Sequence, residues 1–339
     1  MERSELYRSD AAYFRYRIPG MLVTDSGVLL TVCEARQTQS DWSLMDILLR
    51  RSTDGGKSFE EPIALARGTE EHPTVNNPVL MQDRRGRIHL LYCEDYAVGG
   101  GRVLQRISTD DGKTWGECRD ITAMTEPEIR NVYAHGPGHG IRTRTGELMV
   151  PLWRVLRASG ADLHSHGPSE IGIFHSGDDG ETWHTGGILA STDAMPSPNE
   201  TEIAELADGR IYLNTRLGGS MTCRGRAWST GGDCGWTAYG TDEALTDPRC
   251  FGSTVSARTP DGRDWLLFAN CEHEAKRKNV TLKGSLDGGE SWCRRMVIDA
   301  ERGGYVELAS DPVHGNLYIL YEENGGEVLH FVSIPLSEI

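Results

Sequence analysis

Short apolar runs recur along the chain at wide, fairly even intervals. They span Gly27 to Cys33, Arg87 to Tyr92, Glu147 to Trp153, Arg210 to Asn214, Asp264 to Ala269 and Asn316 to Tyr321. Most follow a Gly or Asp-Gly turn signal, and no long segment with apolar residues at helical spacing competes with them. Each run is predicted to be a buried strand, and their similarity suggests six repeats of one unit.

A second repeat lies between the runs. Its pattern is Ser-x-Asp-x-Gly-x-x-aromatic, with copies at Ser52 to Phe59, Ser108 to Trp115, Ser176 to Trp183 and Ser285 to Trp292, and a degraded copy at Ser229 to Trp236. The leading serines are 53 to 68 residues apart. In such a turn the Asp accepts hydrogen bonds from nearby backbone N–H groups, the Gly takes a left-handed conformation and the aromatic ring packs between sheets. Each copy therefore closes a strand–turn–strand unit. Six units of roughly 55 residues fit a closed ring of four-stranded antiparallel blades, an all-β six-bladed β-propeller. Five blades carry the turn or its remnant, and the N-terminal strand is expected to complete the sixth. With no low-complexity linker, residues 1–339 read as a single domain.

Composition adds constraints. The 40 glycines suit a fold of many tight turns, and 25% charged residues suit a water-soluble chain. The formal net charge of −15 argues against a nucleic-acid or acidic-membrane partner, so an anionic ligand would need a local arginine cluster. No apolar run is long enough to span a bilayer. The N-terminus Met1-Glu2-Arg3-Ser4-Glu5 is no secretory signal, so the expected location is cytoplasmic, or secreted or periplasmic if a leader was removed. The eight cysteines form no CxxC pair and are expected as free thiols, with a Cys223–Cys234 loop disulfide left open.

The stretch Tyr16-Arg17-Ile18-Pro19, followed by the repeated aspartate turns, resembles the exo-sialidase (neuraminidase) family. The segment from Glu200 to Arg216 is similar to that family's glutamate-to-arginine segment. The resemblance runs from about residue 13 to 323, and it implies a site residue by residue. Arg17, Arg216 and Arg277 match the carboxylate-binding triad, which makes sense because guanidinium forks stay charged and bind carboxylates bidentately. Lys276 and Lys278 flank Arg277 and leave a one-residue shift open. Asp41 matches the acid/base aspartate, whose pKa burial is expected to raise; Asp46 is its rival, with a structural role favoured. Tyr305 matches the nucleophile, and Glu200 its activating base, with Glu202 as rival. A neutral phenol suits an anomeric carbon that carries a carboxylate, because an anionic nucleophile would be repelled. Glu322 is expected to orient Arg17 from behind.

The resemblance thus implies a retaining exo-glycosidase acting on terminal α-linked sialic acid, with no cofactor or metal ion and no set oligomeric state. Its partner would be a sialylated glycan or another nonulosonic acid glycoside. Val306 stands where the family usually has Ser, and with the His-rich loops and compact chain it leaves open the same mechanism on Kdn or Kdo. Since propellers with such aspartate turns occur without hydrolysis, a non-catalytic glycan-binding propeller is the other alternative. His135, His139, His164 and His166 are read as ordinary loop histidines, some of them at the rim. Arg224 and Arg226 are expected to face the site or to solvate an outer edge.

Overall fold

The computed structural model describes residues 1–95, 101–156, 166–232 and 235–339, without the side chain at 238. Six small antiparallel sheets form the six blades of a β-propeller, as the repeats predict. Numbered from the N-terminus, blade I holds Arg15–Val23, Leu29–Arg36, Met45–Ser52 and Ile63–Arg67 from the axis outward. Blade IV holds Thr201–Glu205, Ile211–Thr215, Cys223–Ser229 and Thr237–Thr246 in the same order. Each of the six apolar runs is the second strand of its blade. Its burial on both faces explains why it reads as a continuous apolar run rather than an alternation. Blade VI is closed by the N-terminal strand Glu2–Arg8, which pairs antiparallel with Val328–Pro335.

The core lies between blades, where sheets pack face to face. Leu30, Val32, Ile47 and Leu49 of blade I meet Leu80, Leu90 and Leu104 of blade II. Leu29, Cys33 and Leu48, on the other face of blade I, meet Tyr318, Leu320 and Phe331 of blade VI, so the ring closes on apolar contact.

The aspartate turns join the third and fourth strands of their blades. In each full copy the Ser hydroxyl donates to the Asp at 2.7–2.9 Å and accepts from the Gly N–H at 2.8–2.9 Å. A hydroxyl two residues after the Gly (Ser58, Thr114, Thr182 and Ser291) donates to the other Asp oxygen at 2.6 Å. In the degraded copy Ser229 accepts from the N–H groups of Gly231 and Gly232, among the described residues.

The turn glycine has a second reason to be glycine. A Cβ on Gly56, Gly112, Gly180 or Gly289 would lie 2.5–2.9 Å from Phe331, Leu30, His89 or Tyr212, each on the preceding blade. The turn is therefore a spacer that sets how closely successive blades approach. Beside it, Trp183 stacks on Phe174 with ring centroids 5.1 Å apart.

The segment Tyr133 to Gly140 departs from the regular blade. Arg130–His135 pairs with the second strand of blade III, but Gly138 and His139 cross to pair in parallel with Val79 and Leu80 of blade II. Ile141 and Arg142 then return to blade III. This detour brings His139 toward the propeller axis.

Gly180→Ala combines a strained φ of +82° with a Cβ 2.5 Å from buried His89, so it should destabilise the fold by about 2 kcal/mol or more. Gly177→Ala in the same turn meets nothing within 4 Å and should stay within about 0.5 kcal/mol of the parent. Urea unfolding of the two variants checks the difference.

Candidate active site

Antiparallel register explains the spacing of the site residues. Thr201 pairs with Thr215, so Glu200 and Arg216 face each other across the mouth of one hairpin. Val306 pairs with Tyr321, which sets Tyr305 opposite Glu322. Arg17 sits on the innermost strand of blade I, paired with Glu34. A cavity of about 320 Å³ opens at this end of the axis, of a size to hold one sugar residue. Arg17, Asp41, Glu200, Arg216, Arg277 and Tyr305 all line it.

Tyr305 is buried and its hydroxyl donates to Glu200 Oε1. Arg216 holds the other Glu200 oxygen at 2.7 Å and reaches the phenol oxygen at 3.3 Å. The guanidinium carbons of Arg17 and Arg277 lie 4.9 and 5.3 Å from the centroid of the Tyr305 ring. Burial first, and then the Glu200 charge, push the Tyr305 phenol far above its ordinary value. Burial would raise the Glu200 carboxyl as well, but the Arg216 charge and the Tyr305 hydrogen bond hold it below its ordinary value. The pair is thus a neutral phenol hydrogen-bonded to a carboxylate.

Glu322 is fully buried behind Arg17. It accepts from Arg17 Nε at 3.2 Å and Nη2 at 3.3 Å, and from the backbone N–H groups of Ile18 at 3.0 Å and Tyr305 at 3.3 Å. It therefore positions an arginine and the tyrosine together. Arg277 rather than Lys276 or Lys278 lines the cavity.

Asp41 departs from the sequence expectation. Its side chain is 45% exposed on the loop after Leu29–Arg36 and forms ion pairs with Arg36 and, at 3.5 Å, with Arg17. Partial burial would raise its carboxyl, but Arg36 first and then Arg17 hold it below the ordinary carboxylate value. Two guanidinium groups outweigh the loss of solvent.

The rivals fall elsewhere. Asp46 accepts from the Tyr13 hydroxyl at 2.6 Å and pairs with Arg67 at 2.7 Å, away from the cavity. Glu202 is fully buried below Glu200. His135 and His139, read as loop histidines, are buried, while His166 lines the cavity; His164 lies outside the described residues. Neither Arg224 nor Arg226 lines the cavity: Arg224 is fully buried and donates to Asn214 and the Cys250 carbonyl, while half-buried Arg226 donates to the Gly289 carbonyl and pairs with Asp242 at a partly solvated edge. Cys223 is a free thiol, and Cys234 lies outside the described residues. Val306 points into the core between blades V and VI and does not touch the cavity.

Sequence reasoning missed Arg36, Asn76, Asn77 and Trp153 among the lining residues, and named His166 only as one of several histidines, some of them at the rim. Arg36 had a signal, the Glu34-x-Arg36 alternation that places both charges on one strand face; it holds Glu34 at 2.8 Å. Trp153 had none, because it meets His166, with ring centroids 5.4 Å apart, only through the packing of loop against blade.

Comparison with known proteins adds a family. The BNR repeat-like domain matches residues 45–319. Among curated relatives, a sialidase of Bacteroides fragilis is 28% identical over 96% of this chain and 62% of its own length. A sialidase of Micromonospora viridifaciens is 30% identical over 92% of this chain and 50% of its own. The chain thus spans about half to three-fifths of these relatives. Among solved structures, Hadza microbial sialidase Hz136 superposes with a TM-score of 0.83 at 24% identity, covering 97% of this chain and 67% of that one. At that identity the likeness shows the fold.

Because Glu200 is held below its ordinary value near 4.5, its ionised form stabilises the fold above that pH, and this contribution fades as the pH falls through the lowered folded value. Glu200→Gln should therefore flatten the acid side of the melting temperature profile between pH 5 and 3. Thermal melts of parent and variant across that range read this directly, and parallel profiles would contradict it.

Proposed function

The chain belongs to the BNR repeat-like domain family, and from that premise we propose that it is a retaining exo-glycosidase that hydrolyses terminal α-linked sialic acid from glycoconjugates. The observation that carries the reading is the Tyr305 hydroxyl donating to Glu200 beneath Arg17, Arg216 and Arg277. A phenol joined to a base is an activated nucleophile. Three guanidinium groups around it suit a substrate whose reacting carbon bears a carboxylate. The sialidase names of the relatives support the same sugar class.

In this reading the arginines hold the sugar carboxylate and bring C2 over Tyr305. The phenol oxygen attacks C2 as its proton passes to Glu200, and the bond to the leaving oxygen breaks as Asp41 protonates that oxygen. Water then attacks C2 and gives its proton to Asp41, while Tyr305 leaves and recovers its proton from Glu200. Configuration is retained after two inversions. A carboxylate bound to Arg17 competes with Asp41 for that guanidinium and weakens the field that keeps Asp41 ionised. Substrate binding thus moves Asp41 toward the proton-holding state its role requires. Val306 is buried away from the cavity, so it bears on the choice of sugar less than the His-rich loop, whose His166 lines the cavity.

The test compares parent, Tyr305→Phe and Asp41→Asn on a 4-methylumbelliferyl sialoside and on an alkyl sialoside. Tyr305→Phe should lose at least ~10²-fold on both substrates. Asp41→Asn should lose ~10²–10⁴-fold on the alkyl sialoside and far less on the aryl one, whose leaving group departs without protonation. Release of sugar by the parent no faster than a blank, with glycan binding intact, would favour the non-catalytic propeller.

A further inference from the structure

Beneath the cavity lies a second charged layer that the proposed reaction does not use. Glu202 is two residues beyond Glu200 on its strand, and Glu307 is two beyond Tyr305 on its own. The period of two along a strand sets each of them on the same side as its partner above, one layer deeper. Both are fully buried. His139, carried in by the Tyr133 to Gly140 detour, completes the layer. Its Nδ1 lies 2.7 Å from Glu307 Oε1 and 3.2 Å from Glu202 Oε2, and its backbone N–H donates to Glu202 Oε1 at 3.0 Å.

Three features of this layer point to a ligand. First, Glu202 Oε2 and Glu307 Oε2 are buried without a hydrogen-bond partner, and among the described residues no hydrogen bond joins the two carboxylates. Second, the two carboxylates converge on one glycine that admits them both: a Cβ on Gly138, whose φ is +104°, would lie 2.2 Å from Glu202 Oε1 and 2.6 Å from Glu307 Oε2. Third, the charges do not balance. Two buried carboxylates face one imidazole, which offers at most one positive charge. Arg224, which also bears on Glu202, is tied to Asn214, Asp247 and the Cys250 carbonyl. The Ser253 hydroxyl and the Met21 N–H face Glu307 and bring no charge. Two carboxylates buried side by side are costly to keep charged unless a cation joins them.

The structure assigns to His139, Glu202 and Glu307 a buried divalent-cation site on the propeller axis. One imidazole nitrogen and two carboxylate oxygens, all within 4.8 Å of one another, form a mixed N/O donor set suited to a first-row ion such as Zn²⁺ or Mn²⁺. A bound dication with neutral His139 brings the layer to zero net charge. It ties the blade II–III crossover to blades IV and VI, whose strands carry Glu200 and Tyr305 two residues above. The site stands whether or not the cavity above it cleaves glycosides.

The test strips the full chain with a chelator, dialyses it against Zn²⁺ or Mn²⁺, and measures bound ion by mass spectrometry and stability by thermal melting. Roughly one tightly held ion per chain is expected, with a melting temperature raised by several degrees. Glu202→Gln, Glu307→Gln and His139→Gln should each lose the ion and the shift; if one does not fold, the others are read. His72→Gln, in a partly exposed surface cluster with Glu94 and Asp95, should keep both. A parent that retains neither ion and melts identically with and without them overturns the assignment. So does an ion content that the axial substitutions leave unchanged.

Discussion

The buried carboxylate of Glu322 is the contact on which the site depends. It binds Arg17 through two nitrogens and caps the N–H groups of both Ile18 and Tyr305. Arg17 lies near the start of the chain and Tyr305 near its end, so one side chain sets two cavity residues across the seam where blade VI meets blade I. A buried carboxylate stripped of such partners costs several kcal/mol, which makes the geometry of the seam and the pairing of Glu322 one constraint. The ring cannot close with Arg17 displaced without leaving that charge unpaired.

Ring closure also explains why the aspartate turns lie far from the cavity and still govern it. Each turn glycine touches a side chain of the preceding blade, so it meters the spacing between neighbouring sheets. The cavity residues come from all six blades, and their separations are sums of those spacings. Apolar packing between blades then fixes the positions, since close-packed interiors have little room to adjust.

Electrostatics works against the overall charge. The chain carries a formal −15, yet the cavity gathers Arg17, Arg36, Arg216 and Arg277 around a neutral phenol. Attraction for an anionic sugar is therefore local, acting within a few ångströms where partial burial limits screening. The same concentration of positive charge keeps Glu200 and Asp41 ionised, while burial and the Glu200 charge keep the proton on Tyr305. One layer down the balance reverses, with two carboxylates facing a single imidazole.

Much of the fold was legible in the sequence, because a β-propeller repeats a local pattern. The six apolar runs and the serine–aspartate–glycine turns are short-range signals, and each of them named a strand or turn that the structure contains. The sixteen-residue separation of Glu200 and Arg216 was likewise a hairpin register written along the chain. Other features depend on residues that meet only after the ring has closed. The lowered carboxyl of Asp41 comes from Arg36 beside it and Arg17 on the neighbouring strand, and His166 reaches the cavity by packing against Trp153. The axial layer joins His139, Glu202 and Glu307 from segments far apart in sequence. The sequence by itself determined the blades and the residue types at the cavity, since these follow from local periodicity and turn chemistry. Only the tertiary structure decided which charges face one another, because burial and pairing arise from contacts across the ring.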